Sequence, residues 1–333
     1  DTLIKLGFKF VESYHGKCIL HICKVGHLEI LEKLIQLLKY NCKRMDACCN
    51  ASIGGHTDVV EMLIHMGSNV NNRNDDEVKT PLHFACENGH LTTTTKLIQL
   101  GANVNSEDKN RLTPLIYACK NGHVACFAKL IGSGANIDLK FNTFSEFFNQ
   151  ICAFGHVEIL NKIIEMGAII HFEGGNDWYP LREACVNGHV DMVVRLVDLG
   201  ADINCRGTYD RTPLLISCEN GHLEVVKELI QLGANVFLCD ENEDTPLHMA
   251  SANGNVEICE ILIRSGINVN VNNRSRNSPL HEACLYGRTK VVQLLLDFGA
   301  VESYDVIFKA PAYYAMKNGH KEILKIFYPE KYK

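Results

Sequence analysis

The stretch Thr80-Pro81-Leu82-His83-Phe84-Ala85 returns as Thr245-Pro246-Leu247-His248-Met249-Ala250, 165 residues further along a chain of 333. Around and between these copies, seven of the eight prolines stand eight residues before a glycine: Pro81, Pro114, Pro180, Pro213, Pro246, Pro279 and Pro311. Those glycines belong to a series at 26, 55, 89, 122, 155, 188, 221, 254, 287 and 319. From Gly89 to Gly287 every step is 33 residues. A second glycine lies twelve residues after eight of them, at 67, 101, 134, 167, 200, 233, 266 and 299. A fixed period of this length marks a repeat architecture.

Each unit reads as two short helices. Thr80, Thr113, Thr212, Thr245 and Ser278 directly precede five of the prolines. A hydroxyl there caps free backbone N–H groups, and Pro at the first helical position gives up no needed donor. The first glycine predicts a stop in the left-handed conformation. A second apolar run follows, as in Leu223, Val225, Val226, Leu229 and Ile230, and ends at Gly233. The connection Asn235–Asp244 is rich in Asn and Asp and predicts a turn or short hairpin. Helices under about 12–15 residues are marginal alone, so neighbouring units must bury each other's apolar faces. Length alone suggests about two domains; the periodicity predicts instead one all-α repeat solenoid over residues 1–333.

These motifs resemble the ankyrin repeat family. Thr80–Ala85 and Thr245–Ala250 stand close to its signature, and Asn220-Gly221-His222-Leu223-Glu224-Val225-Val226, followed by Leu232-Gly233-Ala234-Asn235-Val236, is similar to its second half. Ten repeat centres are expected, at the first-series glycines, with residues 1–11 as the tail of a preceding repeat and 317–333 as a polar C-terminal cap. That tail and the missing initiator Met suggest a chain cut from a longer protein or shortened at its N-terminus. Three repeats depart from the motif, with Lys17-Cys18-Ile19-Leu20-His21, Asp46-Ala47-Cys48-Cys49-Asn50 and Glu146-Phe147-Phe148-Asn149-Gln150 at the helix start; each keeps its downstream Gly-His pair. In the third repeat Thr93 and Thr94 fill slots held by Val225 and Val226 in the seventh. Their hydroxyls need partners, usually a carbonyl one turn earlier, which predicts a weaker helix over Leu91–Leu100.

The 15 Cys and 15 His first suggest chemistry, but spacing assigns most of them to the scaffold. Cys23, Cys86, Cys119, Cys152, Cys185, Cys218 and Cys284 share one register, three residues before the first glycine, and read as small core residues. The odd total and the lack of any Cys-x-x-Cys pair point to a reducing compartment, the cytosol or the nucleus. Eight His follow the first glycine directly, and His83, His248 and His281 close the Thr/Ser-Pro-Leu-His motif. The resemblance implies that these histidines hydrogen-bond loop backbone and the motif hydroxyl. The best metal candidate, Cys18, His21, Cys23 and His27 with His15 nearby, fits no standard zinc spacing, so no metal or other cofactor is expected. There is no nucleophile elbow, no His-Glu-x-x-His and no phosphate loop, so no catalytic residue is assigned. Net charge is −6 and the sequence pI about 6.2, which gives no basic field for nucleic acid. No apolar stretch approaches a membrane span.

What the repeats leave unexplained is a short list of residues. The resemblance implies binding of a protein or peptide through hairpin tips and exposed positions of the first helix. The position before Thr-Pro is Lys79, Leu112, Ser145, Trp178, Arg211, Asp244, Asn277 and Lys309; the position before the first glycine is Asn88, Asn121, Phe154, Asn187, Asn220, Asn253, Tyr286 and Asn318. Most are polar. Leu112, Phe154 and Trp178 break that rule, with Phe141, Phe144 and Tyr209 on the intervening hairpins and Arg211 beside them. A cluster of large apolar groups with an Arg at its border has the composition of a binding hot spot. The alternative is that the aromatics of the fifth repeat, Phe147 and Phe148 above all, fill its own core. Arg274, Arg276, Arg288 and Tyr286 form a second, locally basic group suited to an acidic segment. The expected function is a non-catalytic protein-interaction scaffold without a small-molecule substrate; the other reading is a regulatory or targeting module of a larger protein.

Overall fold

The computed structural model describes residues 12–38, 46–136, 142–166 and 178–331. Among them lie 20 α-helices and a single 3-10 turn, Thr208–Asp210, with no strand. The helices come in the alternation that the periodicity predicts, and within each compact unit they form an all-α repeat solenoid. One unit comprises residues 1–147 and 158–168, the other 148–157 and 169–333.

In the first unit, Glu12–Val25, Ala47–Gly54, Pro81–Glu87 and Pro114–Lys120 pack side by side as a row of first helices. Thr57–His65, Leu91–Gln99 and Val124–Ile131 form a second row behind it. The second unit repeats the plan, with Trp178–Asn187, Pro213–Asn220, Pro246–Asn253, Pro279–Leu285 and Pro311–Lys317 in front. Its back row is Val190–Asp198, Leu223–Gln231, Val256–Arg264, Thr289–Asp297 and Lys321–Phe327. Each second helix buries one face at fixed offsets: Val225, Val226 and Leu229 in one repeat, Val291, Val292 and Leu295 two repeats later. Burying one such side chain contributes roughly 1.5–3 kcal/mol, and the helices of neighbouring repeats pack against it. The seven register cysteines are all buried, and burial pushes the thiols of Cys86, Cys119, Cys152, Cys185, Cys218 and Cys284 above their ordinary range.

Histidine stitches the repeats at two levels. Thr80, Thr245 and Ser278 form capping boxes with His83, His248 and His281. The Thr80 N–H donates to His83 Nδ1 at 3.0 Å, which assigns the ring proton to Nε2. Nε2 then donates to the Leu112 carbonyl of the next repeat at 3.1 Å. His248 and His281 make the same pair of bonds, reaching the carbonyls of Asn277 and Lys309. At the second level, six histidines after a first-series glycine, His56, His90, His123, His189, His222 and His320, reach back one repeat. His90, His123, His189 and His222 place Nε2 at 2.7–3.1 Å from the carbonyls of Ile53, Glu87, Ala153 and Val186. The ring lands on the preceding glycine: a Cβ on Gly89, which has φ +73°, would meet His123 Nδ1 at 2.5 Å. Where histidine is missing, other side chains make the link: Asn253 Nδ2 donates to the Glu219 carbonyl at 3.0 Å and Arg288 Nε to the Ala252 carbonyl at 2.8 Å.

One expectation changes in detail. The helix spans Leu91–Gln99, and its Thr93 and Thr94 are fully buried. Their hydroxyls meet side chains of packed helices rather than a carbonyl one turn earlier: Thr93 Oγ1 lies 2.9 Å from Thr57 Oγ1, and Thr94 Oγ1 lies 3.7 Å from the sulfurs of Cys86 and Cys126. Neighbouring helices approach closely enough at this slot for the hydroxyls to pair across them. The proposed tail at 1–11 lies outside the described residues.

Candidate functional site

Four of the described connections between repeats end in turns whose geometry is set by one acidic or amide side chain. Asp108 Oδ1 accepts the N–H groups of Asn110 and Leu112, both at 2.8 Å, and Oδ2 accepts the Tyr117 hydroxyl at 2.8 Å. Burial alone would raise this carboxyl's pKa; the bonds from Leu112, Tyr117 and Asn110 outweigh it and hold the pKa below its ordinary value. Asp240, Asn273 and Asp305 each accept two N–H groups in the same way. The residue closing the turn takes positive φ: Arg111, Glu243, Arg276 and Phe308 lie between 58° and 64°.

Within the second unit the tips are tied edge to edge. The Glu241 N–H donates to the Tyr209 carbonyl at 3.0 Å, Arg274 N–H to the Asn242 carbonyl at 2.9 Å, and Val306 N–H to the Ser275 carbonyl at 3.2 Å. Successive tips therefore hold fixed relative positions.

The residues singled out by sequence fall unevenly on this frame. Tyr209 and Arg211 share a tip. Tyr209 has φ 62° and is 63% exposed. Arg211 donates from Nη1 to Glu219 Oε2 at 2.7 Å and places Nε 3.9 Å from Asp240 Oδ2. Leu112 belongs to the other unit, is half-buried, and lends its carbonyl to His83. Phe154 is half-buried, with its ring stacked on His156 at a centroid distance of 6.4 Å. Phe144, expected on a hairpin, falls within the helix Asn142–Phe154, which begins early because no Thr-Pro pair sets its start. Trp178 opens the helix Trp178–Asn187. Phe141 and the side chains of Phe144, Phe147 and Trp178 lie outside the described residues, whereas Phe148 is buried, as the core reading of the fifth repeat expects.

Three features escaped sequence reasoning. Lys79 is a counter-example to the solvent-facing position before Thr-Pro, being only 6% exposed. Its Nζ pairs with Glu77 at 2.7 Å and Glu87 at 3.1 Å and lies 4.3 Å from the Tyr117 ring centroid. Burial would lower the ammonium's pKa, but Glu77, Glu87 and Tyr117 together raise it. Secondly, most residues before the first glycine are engaged: Asn88, Asn121, Asn187 and Asn220 donate Nδ2 to the carbonyl four residues back. Thirdly, the last tip carries Val306, Ile307 and Phe308, exposed by 53%, 61% and 80%. Three consecutive apolar residues, at a register that elsewhere carries at most one, was the available signal.

Of the metal candidate, Cys23 is buried while Cys18, His21 and His27 are exposed, and no group of three or more His, Cys, Asp or Glu among the described residues is placed to hold an ion. No described helix is long and apolar enough to cross a membrane.

A family model described as ankyrin repeats (3 copies) matches residues 45–141, 148–240 and 227–306. Among curated proteins, alpha-latrotoxin-Lt1a of Latrodectus tredecimguttatus is 29% identical over 107 residues. That match covers 30% of this chain and 8% of the toxin, so the chain spans only a small part of this relative's length.

Proposed function

The chain belongs to the ankyrin repeat family, and from that premise we propose that it is a non-catalytic scaffold binding a partner protein or peptide through its hairpin tips and first helices. Ankyrin repeats are in general protein-interaction modules, and the family is generally non-enzymatic. The observation that carries the reading is the division of labour among the side chains. Motif histidines are consumed in joining repeats, most asparagines before the first glycine bond their own helix and the register cysteines are buried, while the tips of the second unit present large exposed groups such as Tyr209 and Phe308. Exposed apolar groups gathered on a rigid ridge fit a docking surface better than a reaction site.

Phe154, Trp178, Tyr209 and Arg211, all in the second unit, are the proposed contacts of this surface; Leu112, Phe141 and Phe144 belong to the first unit and are separate candidates from the sequence alone. Arg211 is braced by Glu219, so its charge is held in place on the tip that carries Tyr209. A reducing compartment, cytosol or nucleus, suits the odd cysteine total and the burial of the register thiols. A second reading, a targeting module within a larger protein, is favoured by the small share of its toxin relative that the match occupies.

The test is affinity capture from native lysate with the wild type, Trp178→Ala and Tyr209→Ala, scored by quantitative mass spectrometry. A protein retained by the wild type and lost from both variants, with unchanged helical circular dichroism, supports the surface. Identical captured sets from all three would remove it.

A further inference from the structure

Three consecutive tips of the second unit carry three different chemistries in a fixed order. The first exposes Glu241 and Glu243, the second Arg274 and Arg276, and the third Ile307 and Phe308. Each tip is rigid, because Asp240, Asn273 and Asp305 pin its backbone through two N–H bonds apiece. Backbone bonds from Arg274 to Asn242 and from Val306 to Ser275 hold each tip against its neighbour.

The apolar tip has no stabilising role that explains it. Phe308 sits at φ 59°, a conformation in which Asn or Asp is several-fold enriched and a bulky side chain is an outlier. The residue is 80% exposed, so it gains little from burial. At the same register Arg111, Asp210, Glu243 and Arg276 are charged, and Val78, apolar at φ 60°, is half-buried rather than exposed. The charged tips are nearly unspent: Glu243 and Arg274 approach only to 3.8 Å, at 55% and 67% side-chain exposure, a pair too weak to resist a competitor.

We propose that these tips bind an extended segment of a partner protein bearing a basic, an acidic and an apolar residue at three-residue intervals. The spacing follows from geometry. Packed helices lie about 8–10 Å apart, and an extended chain rises about 3.3 Å per residue, so roughly three residues separate neighbouring tips. The basic residue faces Glu241 and Glu243, the acidic one Arg274 and Arg276, and the apolar one covers Ile307 and Phe308. Nucleic acid and anionic lipid fit less well, because the glutamates repel phosphate beside the arginines. The proposal rests on the array being a protein-interaction module and names the chemistry of what it binds.

The experiment is fluorescence anisotropy on the full chain with labelled peptides carrying Lys, Glu and Leu at three-residue intervals in a Ser/Gly background, in both directions, and a scrambled control of equal composition. One direction should bind at least tenfold more tightly than the control. Phe308→Asn should weaken it at least fivefold while raising thermal stability, since Asn suits φ 59° better; loss of binding by misfolding would lower it. Arg276→Glu should lose the peptide and recover it when Lys replaces the peptide's Glu. Equal binding of patterned and scrambled peptides, or no recovery on charge reversal, overturns the proposal. So does a concentration-dependent dimer in sedimentation velocity that Phe308→Asn abolishes, which assigns the face to a second copy; a monomer at all concentrations supports it. If lysate capture yields a partner lost with Tyr209→Ala but indifferent to Phe308→Asn and Arg276→Glu, this inference fails while the scaffold reading stands.

Discussion

His83 shows how one side chain couples local structure to assembly. Its Nδ1 accepts the Thr80 N–H, and its Nε2 proton serves the next repeat, so the ring works only when neutral. A second proton at Nδ1 would face an N–H donor inside the core. Burial accordingly lowers the pKa of His83 from 6.5 to about 4, against smaller opposing contributions from the Leu112 carbonyl and Asp108. His248 and His281 are lowered for the same leading reason. Between pH 6.5 and 4 the unfolded chain binds more protons than the folded one, so stability falls as pH falls through that window. For His83 alone the loss is on the order of 3 kcal/mol when complete. Denaturant midpoints taken from pH 7.5 down to 4 should drop for the wild type, and less steeply for His83→Gln; parallel curves would contradict this assignment. Gly89 supports a second residue-scale expectation. Ala there must adopt φ +73° and also displace the His123 ring, so Gly89→Ala should lower stability by about 1–3 kcal/mol, read from urea unfolding.

The helix and its tip form the next scale, and here the same position carries different chemistry in different repeats. Tyr117 and Tyr314 donate their hydroxyls to the tip carboxylates Asp108 and Asp305. The matching residue beside Asp240 is Met249, and Asp240 Oδ2 is buried with no hydrogen-bond partner. Tyr117→Phe should therefore destabilise by about 1–3 kcal/mol, the range for orphaning a buried acceptor. Met249→Tyr should stabilise by about 1 kcal/mol if the new hydroxyl reaches Asp240. Thermal melts of the two variants moving in opposite directions would bear this out, and a destabilising Met249→Tyr would count against it. Thr94 gives a related test. Its hydroxyl has only thiol partners at 3.7 Å, which are weak, so Thr94→Val should raise stability and slow amide exchange in the helix Leu91–Gln99.

At the scale of the whole molecule, the cysteines that first suggested chemistry become a readout of packing. Cys18 is exposed, whereas Cys86, Cys119, Cys152, Cys185, Cys218 and Cys284 are buried with their thiolates disfavoured. Alkylation of the native chain at neutral pH should label Cys18 in minutes and leave these six unmodified until denaturant is added, as peptide mass spectrometry would show. Rapid labelling of Cys218 in the native state would mean that the second unit opens far more readily than its packing implies.

Local chemistry alone determined the repeat. Thr-Pro starts, glycine stops and period-33 spacing are each properties of a few adjacent residues, and short helices that cannot stand alone leave stacking as the only outcome. The buried cysteines and the two histidine registers were legible for the same reason. Of the candidate site, Tyr209 could be read from register, because a tip residue points outward whatever surrounds it. Tertiary structure decided what depends on the neighbouring repeat. Lys79 is buried because Tyr117, one repeat on, offers its ring. Asp240 keeps an oxygen without a hydrogen bond, facing only the Arg211 Nε at 3.9 Å, because Met249 is not a tyrosine. Acidic, basic and apolar tips became a single ordered surface only when backbone bonds between repeats placed them side by side, across separations of about 33 residues that no local pattern encodes.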